Sequence, residues 1–368
     1  MEVKKHPLIK IPVLPTALFA IPASLCLLFS LTKGNRDFMD FWVYQVMGPV
    51  ERFWGRIWGI VPFSGMELWI ASALIGSVVW LLRALFLLLR GRDVKKFLRR
   101  IFSYLTLCLW VLAAFNWLWN AAYYASSFSQ RSGLTTVPYT TETLFAVTVY
   151  FAQQAADLST EVARDEDGYF AESVSDCFRR GPAIYDHITE EFPCLEMQSV
   201  RAKPIFFSRL QSILGFTGMY FPFTGEANVN VDAPACLVPA TIAHEMAHQR
   251  MVASELEANF VGIAAATSSD DVVFQYSGYL QGLIQTSNAL YSVAPQAWDV
   301  IVEHCFTPEL SRDWNQNYHY WDELSSPVEE AAEETYDSFL KHNDQELGIR
   351  SYGACVDLLV TYFGRKIF

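Results

Sequence analysis

The sequence predicts a membrane protein in which three N-terminal transmembrane helices precede a mainly α-helical (α+β) domain with a small edge sheet. Hydrophobic residues make up 52% of the chain, which is high for a soluble protein of this length. Charge is unevenly divided: residues 1–131 carry 15 Lys and Arg against 6 Asp and Glu, whereas the remaining residues carry 12 against 33. A basic, apolar first region and an acidic second region indicate different surroundings, and the lack of a basic patch after residue 131 argues against nucleic-acid binding.

Three apolar stretches are long enough to cross a bilayer, which takes about 20 residues: 11–31, 67–89 and 101–124. The first follows the basic leader MEVKK, so a cleaved signal peptide is the alternative. An uncleaved helix is the better interpretation, because the apolar run is long for a signal peptide and no clear small-residue cleavage site follows it. We therefore expect a transmembrane region over residues 1–130.

The loop between the second and third predicted helices indicates the orientation. Residues 90–100, RGRDVKKFLRR, contain six Lys and Arg, and loops enriched in these residues remain in the cytoplasm. The domain over residues 131–368 is then extracytoplasmic in a multi-pass protein of the cell membrane. Residues 38–63 are aromatic and amphipathic, which favours an interfacial helix; a short fourth span is the alternative.

The acidic domain is predicted to be mostly helical. Thr140 or Thr141 suits the cap of a helix over the following apolar run, and Pro204 suits the first turn of a helix over residues 203–216. The alternating segment 218–232 predicts a hairpin or a pair of short edge strands. The acidic run VEEAAEETYDSFLKH is interpreted as a solvated helix face. Further helices are predicted near 170–190 and at 254–268, 270–293, 296–304, 327–341 and 352–364.

The stretch HEMAH, residues 244–248, indicates a metal site. Pro239 can begin a helix that continues to Arg250, and His244 and His248 then project from one face about 6 Å apart. Two imidazole ligands of one zinc ion require this separation. Glu245 lies about a quarter turn away, where a carboxylate can act as general base toward water on the metal. Because the motif also arises by chance, its surroundings decide whether it is a site.

A catalytic zinc normally has three protein ligands, so a third is expected close by. Ser254 is a good N-cap, which places Glu255 in the first turn of a new helix near the end of the previous one. Glu257 stands at the capping-box position and is the rival ligand, whereas Asn259 can hydrogen-bond a ligand. The seven cysteines lack a CxxC spacing, which argues against a cysteine-bound zinc. Single histidines without such neighbours are His187, His304, His319 and His342.

Several segments resemble the DUF3810 family, bacterial membrane-anchored proteins with a zincin-like HExxH motif. They are PFSG (62–65), KPIFFS (203–208), GMYFPFTGEANVN (218–230), HEMAHQR (244–250), ELEANF (255–260), YSGYL (276–280) and SYGACVDLL (351–359). The resemblance implies a zincin-like fold for the domain. The segment Glu255–Asn259 is also similar to the ExxAD segment of membrane gluzincins, in which the first glutamate binds zinc, and this favours Glu255 over Glu257. The family usually has glycine where this chain has Met251, so we expect the chain to turn there by another route than a left-handed residue.

These observations predict a membrane-anchored zinc metallopeptidase, a hydrolase of peptide or amide bonds with Zn2+ as its cofactor. Glu245 is the expected catalytic base, and Tyr276, Tyr279 or His319 is expected to stabilise the oxyanion. An extracytoplasmic site implies surface, secreted or envelope peptides as substrates, which could pair with an edge strand within 218–232. The alternative is a non-catalytic sensor or assembly protein that keeps zinc as a structural or regulatory ion. No feature of the sequence predicts an oligomeric state.

Overall fold

The computed structural model describes residues 13–91, 93–343 and 352–368, which are mostly helical with one small sheet. The first part contains α1 (Val13–Thr32), α2 (Arg36–Asp40), a π-helical segment (Phe41–Met47), α3 (Gly48–Trp58), α4 (Gly65–Gly91) and α5 (Val94–Leu118). Shorter helices follow at α6 (Phe128–Ser132), α7 (Thr141–Ser159), α8 (Val174–Arg180), α9 (Asp186–Glu191) and α10 (Ser208–Ile213). The last seven are α11 (Val238–His248), α12 (Glu255–Ser268), α13 (Val272–Val293), α14 (Pro295–Cys305), α15 (Pro308–Leu324), α16 (Pro327–His342) and α17 (Tyr352–Ile367).

Helices α4 and α5 are long and apolar enough to cross a membrane. Only 6% and 17% of their apolar windows are buried, so they are not core helices of a soluble domain. They correspond to the second and third predicted spans, although α5 ends at Leu118 and Asn120–Tyr124 form a 3₁₀ turn instead of its last turns. The first predicted span corresponds to α1, which packs along α5; residues 11 and 12 lie outside the described residues. A third span and the orientation remain predictions.

The amphipathic segment before α4 is helical, as predicted. Helix α2, the π-helical segment and α3 follow one another without a break from Arg36 to Trp58, so the short fourth span stays an alternative to the interfacial helix. On the buried side of α3, Glu51 accepts a hydrogen bond of 2.5 Å from the Tyr220 hydroxyl. A Cβ at Gly55 would lie 2.7 Å from Gly225 O, so this helix lies directly on the tip of the hairpin. The opposite side exposes the large apolar side chains Phe53, Trp54 and Ile57.

The sheet confirms the hairpin predicted over residues 218–232. Strands β2 (Gly218–Phe221) and β3 (Glu226–Val229) pair antiparallel, with Gly218 opposite Val229. A two-residue strand β1 (Lys203–Pro204) pairs parallel with β3, which gives the order β1-β3-β2 and leaves β2 at an edge. The helix predicted over 203–216 is therefore wrong at its start: Pro204 ends a strand, where its missing N–H is tolerated, and the helix begins at Ser208.

Most other predicted helices of the domain are present. Helix α7 begins at Thr141, and the hydroxyl of Thr140 accepts a hydrogen bond from Thr143 N. Helices α8 and α9 lie within the predicted 170–190 region, and α12, α13, α14, α16 and α17 correspond to the helices predicted after residue 254. Helix α15 has no counterpart among the predictions, although its apolar side chains Leu310, Trp314 and Trp321 recur at helical spacing.

A buried ion pair attaches the sheet to the start of α4. Lys203 Nζ donates to the carbonyl oxygens of Trp58 (2.6 Å) and Phe63 (2.9 Å) and pairs with Glu226. Glu226 in turn accepts a hydrogen bond of 3.0 Å from Met66 N. The two charged residues are only 5% and 1% exposed, so each needs the other. The PFSG, KPIFFS and GMYFPFTGEANVN segments, distant in sequence, meet at this Lys203–Glu226 pair.

We expect Lys203→Met to destabilise the protein by about 3–5 kcal/mol, because it leaves the Glu226 carboxylate buried without its cation. The double variant Lys203→Met/Glu226→Gln should be more stable than the single variant, since the remaining amide is neutral and still accepts from the backbone. Thermal unfolding of the three proteins in detergent measures this. A double variant that is less stable than Lys203→Met would contradict the account.

Candidate metal centre

Helix α11 carries the two histidines on one face. It begins at Val238 with Pro239 in its first turn and ends at His248, close to the prediction. The Nε2 atoms of His244 and His248 are 3.2 Å apart. His248 Nδ1 lies 2.7 Å from Val252 O, and because a carbonyl only accepts, Nδ1 carries a proton. In the neutral imidazole Nε2 is then the nitrogen that can bind a metal.

The chain leaves α11 through a tight turn. Met251 has a φ of 60°, the left-handed conformation that glycine adopts freely and that costs other residues roughly 1–2 kcal/mol. The expectation of another route is therefore wrong, because Met251 itself adopts the conformation a glycine would. Its side chain is buried in an apolar cluster with Trp119 and Tyr220, and this burial offsets the backbone cost.

Glu255 is the first residue of α12, and the turn brings its carboxylate to both histidines. Its Oε2 lies 3.2 Å from His244 Nε2 and 3.6 Å from His248 Nε2. Ligand atoms of a tetrahedral zinc with bonds of about 2.0–2.2 Å are about 3.3–3.6 Å apart. These three donors, the ligand triad, form a group among the described residues that could hold a metal ion, and their separations fit zinc.

The surroundings of the ligand triad stabilise a positive charge at this site. Burial lowers the pKa of His248, but the Glu255 carboxylate more than offsets burial and raises this pKa to about 9. The same histidines outweigh burial at Glu255 and hold the pKa of its carboxyl well below the usual range. An ionised carboxylate and two imidazole nitrogens together form a set of ligands that suits a divalent cation.

Close packing of α12 on α11 sets the spacing of the ligand triad. A Cβ at Gly262 would lie 2.8 Å from His244 N and 2.9 Å from His244 Cα. Both distances are shorter than van der Waals contact, and both involve backbone atoms that cannot rotate away. Only glycine therefore lets the two helices approach this closely at the level of the first ligand.

Glu245 lies beside the ligand triad, at the edge strand of the sheet. It is 3% exposed, and its Oε2 has no hydrogen-bond partner among the described residues. A Cβ at Gly218, the first residue of β2, would lie 2.4 Å from Glu245 Oε1, so the strand contacts this carboxylate. Burial raises the pKa of Glu245 to about 7, although the two histidines oppose the shift. A carboxyl group that titrates near neutral pH can both accept and release a proton.

A cleft of about 450 Å³ opens beside the ligand triad, within the range of small-ligand sites. His244 and Glu255 line it, together with residues of α13, α15 and α16. Tyr336 of α16 also lines the cleft, and its hydroxyl donates to Glu255 Oε1. Because this bond engages Oε1, Oε2 is the oxygen directed at the histidines, and Tyr336 thereby orients the carboxylate.

Tyr336 is a site residue that the sequence-based candidates lack. The interpretation of its acidic helix as a solvated face is wrong on one side. The ring of Phe339 contacts those of Phe115 and Tyr123, and Leu340 is buried. These apolar side chains are three and four residues beyond Tyr336, a helical spacing that could have revealed the buried side.

Glu257, the rival third ligand, contacts a different part of the chain. Its carboxylate accepts hydrogen bonds from Phe128 N (2.7 Å) and Ser129 N (2.9 Å), at the start of α6. Ser254 makes no side-chain cap bond, so the predicted capping box is wrong: the carboxylate caps another helix, 128 residues away in sequence. Asn259 lines the cleft, as a residue near the ligands should.

The predicted oxyanion-stabilising residues lie elsewhere. The Tyr276 hydroxyl donates to the buried Asp313, and the Tyr279 hydroxyl lies 3.3 Å from that of Tyr150. His319 is exposed on α15. None of the three is among the described residues that line the cleft, so the structure does not bring them to the ligand triad.

A family model described as a protein of unknown function (DUF3810) matches residues 43–360. The match includes the ligand triad, Glu245, the sheet and α16, and it agrees with the resemblance seen in the sequence. No match was found among curated proteins or among solved structures.

We expect Glu255→Gln to weaken zinc binding, because an amide is a poorer zinc ligand than a carboxylate. The matched variant Glu257→Gln should retain zinc and lose only part of its contact with α6, a cost of about 1 kcal/mol. Metal content after dialysis and thermal unfolding separate the two effects. Loss of zinc from Glu257→Gln with retention by Glu255→Gln would mean that the ligand assignment is wrong.

Gly262→Ala should lower zinc affinity and destabilise the protein by about 1–3 kcal/mol, since the new methyl group must push α12 away from α11. Gly364→Ala is the control, because a Cβ there meets no atom within 4 Å and alanine is the better helix former. Zinc competition with a chelating dye measures the affinity of both variants. Wild-type affinity in Gly262→Ala would show that this packing does not set the spacing of the ligands.

Proposed function

The chain belongs to the DUF3810 family, and we propose that it is a membrane-anchored, zinc-dependent hydrolase of peptide or amide bonds. The observation that carries this proposal is the convergence of His244, His248 and Glu255 beside the buried carboxylate of Glu245. A catalytic zinc has three protein ligands and a structural zinc usually four. Among the described residues, no fourth His, Cys, Asp or Glu joins the ligand triad, which favours an enzyme over a non-catalytic zinc-binding sensor or assembly protein.

The zinc would be held by His244 Nε2, His248 Nε2 and Glu255 Oε2. When bound, zinc makes water acidic enough to act as a nucleophile near neutral pH and polarises a substrate carbonyl. Other groups of the protein orient these ligand side chains by hydrogen bonds. Val252 O accepts a hydrogen bond from His248 Nδ1, and the Tyr336 hydroxyl donates one to Glu255 Oε1. Such hydrogen bonds to the ligands typically strengthen metal binding.

Glu245 would carry the proton during hydrolysis. It takes the proton from the attacking water as the new C–O bond forms at the carbonyl carbon. It then donates this proton to the amide nitrogen as the C–N bond breaks and the amine leaves. Its burial supports both steps, because a pKa of about 7 leaves the group able to change protonation state near neutral pH.

The edge strand β2 would bind the substrate backbone. Among the described residues it pairs with β3 alone, so its other edge would be available to an extended peptide. Gly218 lies against Glu245, and a peptide added along β2 would therefore pass the general base. This arrangement fits a polypeptide substrate better than a small amide.

The membrane region would anchor this site outside the cytoplasm. Helices α4 and α5 supply two spans by length and composition, and α1 supplies the third. The basic loop 90–100 between α4 and α5 would remain in the cytoplasm. Residues 131–368 would then face surface, secreted or envelope peptides.

The variant Glu245→Gln tests the enzymatic proposal. It should fold, bind zinc like the wild type and lose peptide cleavage by roughly 10²–10⁴-fold, because the water then lacks its general base. The assay is cleavage of a peptide library by the zinc-loaded full-length protein in detergent, with chelator-treated wild type as the blank. Unchanged cleavage by Glu245→Gln, or no zinc-dependent cleavage by the wild type, would contradict the proposal.

A further inference from the structure

The cleft beside the ligand triad has a polar wall that the proposed reaction does not use. Gln281, Gln285 and Asn288 follow one another along α13 at helical spacing, and all three line the cleft. Gln285 is 4% exposed, and its Oε1 has no hydrogen-bond partner among the described residues. A buried amide oxygen without a partner costs about 1–3 kcal/mol, and a ligand that donates a hydrogen bond to Gln285 would remove this cost.

Helix α16 supplies the charge of the cleft. Glu329 and Glu333, one helical turn apart, both line it, and no ion pair joins either one to a cationic side chain of the described residues. None of the described residues that line the cleft is Lys or Arg. Two carboxylates on a wall of the cleft where the described residues place no Lys or Arg create a negative potential along that wall, which attracts a positively charged group.

We infer that the cleft binds a cationic group of the substrate, an ammonium or guanidinium. Glu329 and Glu333 pair with the positive charge of this group, and Gln285 Oε1 accepts a hydrogen bond from one of its N–H groups. This inference rests on the proposed function, because His244 and Glu255 line the same cleft and the cationic group would belong to the peptide held at the ligand triad. The group is either a Lys or Arg side chain or the free amino terminus of the peptide.

The carboxylates explain why the group must be a cation. An amide such as Gln285 can present either its oxygen or its NH2 to a ligand, so by itself it does not choose between donors and acceptors. An anionic side chain placed beside Glu329 and Glu333 would face two carboxylates at once, whereas Glu255 adds no repulsion when it holds the zinc ion. A hydrogen bond from a charged guanidinium is also stronger than one from a neutral donor, and it would give Gln285 Oε1 the partner that it lacks.

Equilibrium binding to zinc-loaded Glu245→Gln tests the inference without requiring cleavage. The probes are fluorescent peptides in two matched pairs: arginine against its neutral isostere citrulline, both with acetylated amino termini, and free against acetylated amino termini in a peptide without basic side chains. We expect the charged member of one pair to bind at least about tenfold more tightly than its neutral partner. The pair that shows the difference identifies the side chain or the amino terminus as the source of the cation.

The double variant Glu329→Gln/Glu333→Gln, made in the same background, should lose most of this preference. The matched control Glu330→Gln/Glu334→Gln changes two exposed carboxylates of the same helix that do not line the cleft, and it should keep the preference. Equal binding within both pairs, absence of peptide binding, or equal effects of the two double variants would overturn the inference. Failure of the proposed function appears separately, as the absence of zinc-dependent cleavage by the wild type.

Discussion

The site depends on how closely two helices approach. Helices α11 and α12 are consecutive, and each supplies part of one ligand set, so their separation determines whether the donors share an ion. Gly262 allows the backbone of α12 to contact that of α11 beside His244. Met251 adopts the left-handed conformation that reverses the chain between them. With both in place, a carboxylate at the start of α12 meets two imidazoles at separations that suit zinc.

Residues of the N-terminal region support this site directly. Trp119, just after α5, lies with its ring 5.7 Å from that of His248. Phe115 and Tyr123 contact Phe339 on α16, the helix whose Tyr336 orients Glu255. The Lys203–Glu226 pair attaches the sheet to the start of α4. Both the ligand helices and the edge strand are therefore supported by residues that precede the acidic domain.

Local patterns predicted those parts of the molecule that depend on local chemistry. The spacing of His244 and His248 and the alternation of residues 218–232 specify a helical face and a hairpin, and both are present. Long-range contacts were not predictable in this way. The sequence pairs Glu257 with Ser254 in a capping box, but Glu257 caps α6 instead. Tyr336 donates a hydrogen bond to Glu255, which lies 81 residues away in sequence. The left-handed conformation of Met251 was not predicted, because a rule based on residue type considers the cost of the backbone conformation and not the burial of the side chain that offsets it.

X-ray absorption at the zinc edge of the loaded full-length protein tests the central claim most directly. The account predicts a first shell of nitrogen and oxygen at about 2.0–2.2 Å with outer-shell scattering from two imidazoles, no sulfur, and room for one ligand from solvent. In the His248→Ala variant the scattering of one imidazole should disappear or the metal should be lost. A shell that contains sulfur, or one that His248→Ala leaves unchanged, would contradict the assignment of His244, His248 and Glu255 as the metal centre.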